Sequence, residues 1–441
     1  VKVVHHGFVW ELGVVKPPST PTILTYEYRI KPSPEQEAMM LHWLELLRRH
    51  WNYALGQRLD WLNRTRCQVD RCSIKFEPIG DIPERPNYHR QSGELKQTKV
   101  LFPEYKDIYA QVQQQNLMRL DKAWQRWMVP DKTGKPGGRP RFKKSGGLRS
   151  FTFPQTNSEK AGAHIIGDNL KLSKIGVMPV VVHRPIPDGF TPKTCTLIKK
   201  ADGWYASIVI EDASVPSPLS LDTVKSAVGI DVGLKEFLVD SEGDAVPIQQ
   251  YYRKAQSKLA RAQRELSRKV KGSANYQKLA HKIACLHQFV ARVRKEFHYQ
   301  VAHKLCEKYD LIGLEDINIK GLAKTRLAKS ILDAAWGQFS QILEAVAVKR
   351  GNWIVKVNPY GTSQRCSGCG KNVPKALSVR THECPHCGTV LDRDHNAAIN
   401  IKNLALNAVG LTVSACGSKR GYSACEAGIF ICEEKKLTLY R

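Results

Sequence analysis

Residues 366–401, CSGCGKNVPKALSVRTHECPHCGTVLDRDHNAAINI, restrict the possible folds of this chain more than any other stretch. Cys366-x₂-Cys369-x₁₄-Cys384-x₂-Cys387 is close to the spacing of a four-thiolate structural zinc site. Gly370 and Gly388 suit the tight turns of its two knuckles. Four thiolates close a tetrahedron and leave no position for water, which predicts a structural role; His382 and His386 are not needed to complete the shell. Within a few residues the quartet runs into Asp392, Asp394 and an alanine-rich helical pattern. Two readings stand at this point: an ordinary helix cap beside a self-contained finger, or the last acid of an active site into which the finger is inserted.

Two acids far upstream bear on that choice. Asp231 sits in GIDVG at the end of a short apolar run, and Glu315, with Asp316 beside it, ends the apolar run of LIGLEDIN. Singly, each has an ordinary explanation as a strand terminator or an N-cap. Jointly, two acids at strand ends and one at a helix start can converge on one edge of an α/β sheet. Converging carboxylates repel one another unless cations neutralise them, and hard oxygen ligands suit Mg²⁺. Two such ions about 4 Å apart activate a water and stabilise the leaving oxygen of a phosphodiester. No convincing triad with a Ser or Cys nucleophile is evident.

Charge decides which substrate such a site would meet. The chain has 441 residues, with 68 Lys and Arg against 41 Asp and Glu, a net charge of +27. A field of that sign and size draws polyanions, so nucleic acid is the expected partner. Paired-carboxylate glycoside hydrolysis would leave the charge unexplained. No apolar run approaches the roughly 18 residues of a membrane span. The other eight of 12 cysteines (Cys67, Cys72, Cys195, Cys285, Cys306, Cys416, Cys425 and Cys432) show no disulfide framework. The N-terminus lacks the plan of a signal peptide, so a reducing cytoplasm is expected. The initial Val suggests that the true start lies elsewhere and that residues 1–22 are an accessory extension.

Periodicity gives the outline. ILTYEYRI reads as a strand, and the run opened by Ser33-Pro34 as a long amphipathic helix. A loop-rich stretch to about 104 precedes a second helix over 105–128 and the turn-rich basic segment DKTGKPGGRPRFKKSGG. Residues 151–211 follow a strand pattern with an ADG hairpin turn, and 215–220 a linker. SAVGIDVGLKEFLVDSEGDAV predicts two strands about a Gly turn. Residues 250–308 predict two basic helices broken at 271–273, a surface suited to phosphate backbones. A strand at 310–319, one long helix near 327–351 and a strand at 353–359 complete the pattern.

The series GIDVG, LIGLEDINIKGL, AKSILDAAWGQF, VNPYGTSQRCSGCG, CPHCG and DRDHNAAINI closely resembles TnpB, the RNA-guided nuclease family of insertion-sequence transposons regarded as ancestral to type V CRISPR effectors. YEYRIKPSPEQEAMM, GRPRFKKSGGLRSFTFPQ and LKLSKIGVMPVVVHRPIP match too, so the resemblance covers roughly 23–407 in family order. It implies a multidomain α+β protein. A β-barrel wedge domain (23–42 and 145–222) would be interrupted by a helical recognition domain (43–144). An RNase-H-like RuvC α/β domain (223–359, with the basic hairpin 250–308) would be completed by 391–407. A zinc-ribbon insertion that binds target nucleic acid (360–390) would separate the two RuvC parts, and 408–441 would be a flexible tail. Asp231, Glu315 and Asp394 take the catalytic, Mg²⁺-holding positions, Asp394 rather than Asp392 because the family acid stands two residues before NAA. Cys366, Cys369, Cys384 and Cys387 take the Zn²⁺ positions.

The resemblance further implies a transposon-derived guide RNA, recognition of a short motif beside the target, and cleavage of both DNA strands at one RuvC site with two Mg²⁺ ions, with double-stranded and also single-stranded DNA as partners. Asn52, Tyr53 and Gln114 become candidate motif readers, because amides pair with adenine edges and a Tyr can stack. Arg141 and Lys143 become candidate backbone contacts. A Trp at helical spacing such as Trp51 is expected in the core. A monomer acting in the prokaryotic cytoplasm, on the nucleoid when bound, is the matching expectation. A type V CRISPR effector and a cleavage-free RNA-guided repressor are the alternatives; retention of all three acids argues against the repressor.

Overall fold

The computed structural model describes residues 2–5, 8–11, 22–65, 84–130, 134, 136–158, 160–186, 191–212, 220–376 and 378–411. Cys67, Cys72, Cys416, Cys425 and Cys432, the 215–219 linker, most of the N-terminal extension and the tail beyond 411 lie outside the described residues. The chain divides into two compact units: 18–216 with 251–294, and 1–17 with 217–250 and 295–441. In the second of these, strands β1 (Lys2–His5) and β2 (Phe8–Glu11) pair as an antiparallel hairpin.

The 18–216 unit is built on a seven-stranded sheet. Strand β3 (Thr22–Ile30) leads into helix α1 (Pro34–Thr65). Ser33 starts that helix with a reciprocal cap: its Oγ accepts from Gln36 N at 3.2 Å and Gln36 Oε1 accepts from Ser33 N at 3.0 Å. The stretch expected to be loop instead contains helices α2 (Tyr88–Gly93) and α3 (Leu95–Leu101) and a 3₁₀ turn at Pro103–Asp107. Asn87 caps α2 through a 2.9 Å bond from Arg90 N, a signal the Pro- and charge-rich flanks obscure. Helix α4 (Ala110–Met128) starts five residues later than the pattern suggests, after an extended Ile108.

Strands β4 (Ser150–Phe153), β5 (Ala163–Ile166), β6 (Asn169–Leu172), β7 (Gly176–Val181), β8 (Thr191–Lys200) and β9 (Gly203–Asp212) complete the sheet. The ladder order is β4-β8-β9-β3-β7-β6-β5, so β4 and β5 are its two ends, and among the described residues no ladder closes it into a barrel. Its core is aromatic, with Trp43, Phe151, Phe153 and Trp204 all at most 2% exposed. A second cluster, with Trp51, Leu55, Leu120 and Trp124, holds α1 against α4. Trp51 is buried, as a core Trp should be.

Basic helices α5 (Tyr251–Ser267) and α6 (Ala274–Lys308) follow, separated by Gly272 at φ +89° and started again by Ser273, whose Oγ accepts from Tyr276 N at 3.1 Å. Asp202, in the β8–β9 turn, grips α6. It accepts from Arg292 Nη1 at 2.7 Å and from Gln288 Nε2 at 2.6 Å. Burial opposes the charge on Asp202, yet the bonds from Arg292, Gln288 and Tyr205 together hold its carboxyl well below the usual range.

The other unit has a five-stranded mixed sheet of order β12-β11-β10-β13-β14. Its strands are β10 (Ala227–Val232), β11 (Glu236–Asp240), β12 (Ala245–Pro247), β13 (Leu311–Glu315) and β14 (Trp353–Val357). Strand β12 is a third strand where two were expected. Strands β10, β13 and β14 run parallel and are apolar along most of their length, as parallel strands buried on both faces must be. The helices between β13 and β14 are α7 (Ile319–Leu322), α8 (Ala328–Ala334) and α9 (Trp336–Arg350). The single helix expected near 327–351 is broken at Ala335, which takes a left-handed φ of 52°. Such a conformation costs a non-glycine residue about 1–2 kcal/mol. Packing of Trp336 and Phe339 into the core, with His298 against the Ala334 carbonyl at 3.1 Å, supports the break. Strands β15 (Thr381–Glu383) and β16 (Val390–Asp392) then form a small hairpin that runs without a linker into α10 (Arg393–Ala408).

Candidate active site and metal knuckle

Two glycines in neighbouring strands make the bed on which the site is assembled. Gly229 of β10 lies opposite Gly313 of β13, and α10 lies across both. A Cβ on Gly229 would stand 2.1 Å from the Ala398 carbonyl oxygen, and one on Gly313 2.7 Å from Ala405 Cβ. Only hydrogen at these positions admits the helix so close. Its first turn is thereby brought to the C-terminal ends of the two strands, where Asp231 and Glu315 emerge.

Asp392 and Asp394 divide their tasks. Asp392 is the N-cap: its Oδ1 accepts from Asp394 N at 2.8 Å. Asp394, two residues on, is 8% exposed and turned toward the strand ends, its Oδ2 4.0 Å from where a Gly233 Cβ would be. Arg393 donates to its Oδ1 at 2.9 Å and Arg380 to its Oδ2 at 3.3 Å.

The three acids share one neighbourhood. Burial first, and then the charges of Glu315 and Asp394, push the Asp231 carboxyl well above its usual range, with Arg393 only partly offsetting them. Burial likewise raises Glu315, opposed by the Thr362 hydroxyl, which donates to its Oε1 at 2.6 Å. Among the described residues no donor lies within hydrogen-bond reach of the Asp231 carboxylate. A clustered set of hard oxygen donors, one of them without a partner, has the chemistry of a divalent-cation site. Beside it opens a cavity of ≈ 160 Å³ lined in part by Glu315, Asp316, Trp336, Ser340, Gln341 and Lys356.

The cysteines form a second, separate cluster. The Sγ atoms of Cys366, Cys369, Cys384 and Cys387 lie within 4.8 Å of one another, a donor set for one tetrahedral metal. Each pair sits on a matched turn. Gly370 N donates to Cys366 O at 2.9 Å and Gly388 N to Cys384 O at 3.0 Å, both glycines at φ +72°. The hydroxyl and backbone of Thr389 draw the Cys387 thiol down, while at Cys369, against a hydrogen bond from the Lys371 backbone, desolvation and the neighbouring thiols push the thiol up, as expected of thiols crowded together without a cation. His382 is fully buried beside Lys375 and is outside the thiol cluster.

Asn396 and Asn400, both buried, tie this knuckle to α10. Asn396 Nδ2 donates to Arg365 O at 2.8 Å, and its Oδ1 accepts from Ser367 N at 2.9 Å. Asn400 Nδ2 donates to Thr362 O at 2.8 Å and Arg365 O at 2.6 Å. These residues and Thr362 are the ones sequence reasoning missed. Their available signal was two amides four apart on an otherwise apolar helix face, following a Thr-Ser step just before the first cysteine pair.

The candidate nucleic-acid contacts lie in the 18–216 unit, where the segment bearing Arg141 and Lys143 packs on α1 at Trp51 and Asn52. Asn52 is engaged internally: its Nδ2 donates to Lys143 O at 3.0 Å and its Oδ1 accepts from Lys143 N at 2.8 Å. Asn52, half-buried on α1, thereby braces the basic segment. The Lys143 ammonium stands over the Trp51 ring, 4.5 Å from its centroid, and Arg141 is exposed. Tyr53 is 63% exposed and Gln114 half-buried.

Family comparisons agree along the chain. Residues 209–326 match a family described as "Probable transposase", 336–401 one described as "Cas12f1-like, TNB domain", and 22–67 one described as "Helix-turn-helix domain". The last match spans one strand and one long helix. A Streptomyces pristinaespiralis protein named "Putative RNA-guided DNA endonuclease" is 36% identical over 238 residues, 53% of this chain and 57% of its own length. "Putative RNA-guided DNA endonuclease InsQ" of Escherichia coli (strain K12) is 29% identical over 411 residues, 89% of this chain and 93% of its own. "TnpB-like protein L79" of Acanthamoeba polyphaga mimivirus is 30% identical over 284 residues, 59% of this chain and 53% of its own. The chain thus spans little more than half the length of two of these relatives and nearly all of the third.

Proposed function

The chain belongs to the TnpB family, and from that membership we propose that it is an RNA-guided DNA endonuclease. The observation that carries the reading is the meeting of Asp231, Glu315 and Asp394 at the ends of two parallel strands and one helix. Asp231, Glu315 and Asp394 would hold two Mg²⁺ ions, which when bound neutralise the scissile phosphate and lower the pKa of the attacking water. Arg393 and Arg380 anchor Asp394 through ion pairs.

Cys366, Cys369, Cys384 and Cys387 hold one structural Zn²⁺ in this reading. Its folding energy fixes the hairpin that delivers Asp394. A guide RNA reads the target by base pairing, while the Lys- and Arg-rich hairpin 250–308 engages phosphate backbones regardless of sequence. We place a wedge domain in 23–42 and 145–222, a recognition domain in 43–144 and the nuclease in 223–359 with 391–407. Residues 360–390 form the target-binding insertion. We place Asn52, Tyr53 and Gln114 at the target-adjacent motif, and Arg141 and Lys143 at the nucleic-acid backbone. One chain supplies all three acids, so a monomer suffices, acting on DNA in the cytoplasm.

The test is to co-purify the protein with its RNA, sequence that RNA, and offer a matched duplex beside a randomised flank. The expected result is Mg²⁺-dependent double-strand cleavage that Asp231→Ala abolishes. Guided binding without cleavage would replace the nuclease reading with a repressor, and cleavage independent of RNA would overturn both.

A further inference from the structure

We propose that Thr362 is a positioning residue that fixes Glu315 relative to Asp394, an inference that rests on the endonuclease reading. Glu315 ends β13 beside Val357, the last residue of β14, and Asp316 N donates to Val357 O at 2.9 Å. The chain then turns sharply. Tyr360 N donates to Asn358 Oδ1 at 3.0 Å, Gly361 takes φ +78°, and Thr362 is 5% exposed beneath them. The Thr362 hydroxyl has one proton to give. Pro359 O is 3.1 Å away and Glu315 Oε1 2.6 Å, the length of a charge-assisted O–H···O⁻ bond, so the carboxylate takes it.

The other side of Thr362 is held from α10. Asn400 donates to its carbonyl, and the same amide with Asn396 holds the Arg365 carbonyl just before Cys366. A short bonded path therefore runs from the Glu315 carboxylate through Thr362 and Asn400 into the helix whose first turn bears Asp394. Two acids from separate elements keep their spacing only if something bridges them, and a Glu side chain has more rotatable bonds to restrain than an Asp. Thr362 supplies that restraint without offering a ligand atom of its own. The knuckle enters the same loop at Arg365 and Cys366, so ordering the four thiols also orders Thr362.

Thr362→Val keeps the shape and removes the hydroxyl; Thr362→Ser keeps the hydroxyl. In the guide-RNA complex of the full chain, Thr362→Val is expected to slow single-turnover cleavage about 10–100-fold, as loss of a partner to a metal ligand typically does. Mn²⁺ binding, followed by the electron-spin resonance of the free ion, should weaken by a similar factor. Target-duplex affinity in EDTA should stay that of the native complex. Thr362→Ser should restore both cleavage and Mn²⁺ binding to within about threefold, which a merely structural role would not require. Equal activity of Thr362→Val and the native complex overturns the proposal, as does equal impairment of Val and Ser. If the native complex cleaves nothing, the nuclease reading fails by itself. The Mn²⁺ titration then decides, and unchanged binding in Thr362→Val overturns the positioning role.

Discussion

Gly229 and Gly313 face each other across parallel strands, and the backbone of α10 rests on the space their missing side chains leave. Gly229→Ala would put a methyl carbon 2.1 Å from the Ala398 carbonyl and 2.3 Å from Lys402 N, both backbone atoms with no freedom to swing away. The helix must lift, and Asp394 lifts with it. We expect Gly229→Ala to destabilise this unit by about 3 kcal/mol or more and to abolish cleavage at temperatures where the protein remains folded. Denaturant unfolding together with a cleavage assay checks both. A variant with native stability and activity would mean that α10 does not press on β10 as described.

Asp231 offers a prediction whose two halves have opposite signs. Its ionised form is opposed by burial and by two neighbouring carboxylates, so without metal it is a source of instability. Asp231→Asn removes that charge while keeping the shape. In EDTA the variant should melt above the native protein. On addition of Mg²⁺ the native protein should gain stability and the variant should gain less. Guided cleavage should fall about 1,000-fold or more in the variant. Differential scanning calorimetry with and without metal reads the first half, and a variant that melts lower in EDTA contradicts the electrostatic account.

How much of this was legible in the sequence depended on the range of the interaction involved. The knuckle was legible because its geometry is local: each CxxCG carries its two ligands and its own left-handed glycine within five residues. The acids were legible as strand ends because apolar runs stop at Asp231 and Glu315. The choice of Asp394 over Asp392 came from the family resemblance, and the structure supplies a physical counterpart in the cap made by Asp392. The ties that Thr362, Asn396 and Asn400 make were hidden, since these bonds join residues 29 to 47 positions apart. The break at Ala335 was hidden for a related reason: alanine is a strong helix former, and tertiary packing overrode its propensity. The bracing of the Lys143 backbone by Asn52 was hidden in the same way as those ties, since the two stand 91 positions apart.

The knuckle should bear on the active site as well as on itself. Cys384 follows β15, and β16 leads straight into Asp392 and Asp394. Cys384→Ser is expected to lower bound metal from about one per chain toward zero and to reduce cleavage more than it reduces target binding. Elemental analysis and a binding titration on the same preparation separate these effects. Full activity in a metal-free protein would remove the knuckle from the mechanism.

His50 sets an acid limit on the 18–216 unit. It is 5% exposed on α1, its ring lies edge-on to Tyr105, and its Nδ1 has no partner among the described residues. Burial alone draws its pKa from 6.5 down to about 4. The folded state therefore binds fewer protons than the unfolded chain between those values, so stability falls as pH drops below about 6.5 and the full loss is reached near 4. At pH 5 the deficit relative to pH 7.5 comes to about 2 kcal/mol, at 1.36 kcal/mol per unit. Other acids and bases titrate over the same range, so the quantity to measure is a difference between two proteins. His50→Leu should lose about 2 kcal/mol less than the native chain when urea unfolding of this unit is compared at pH 7.5 and pH 5. Parallel pH profiles for the two proteins would show that His50 accepts a proton in the folded state as readily as in the unfolded one.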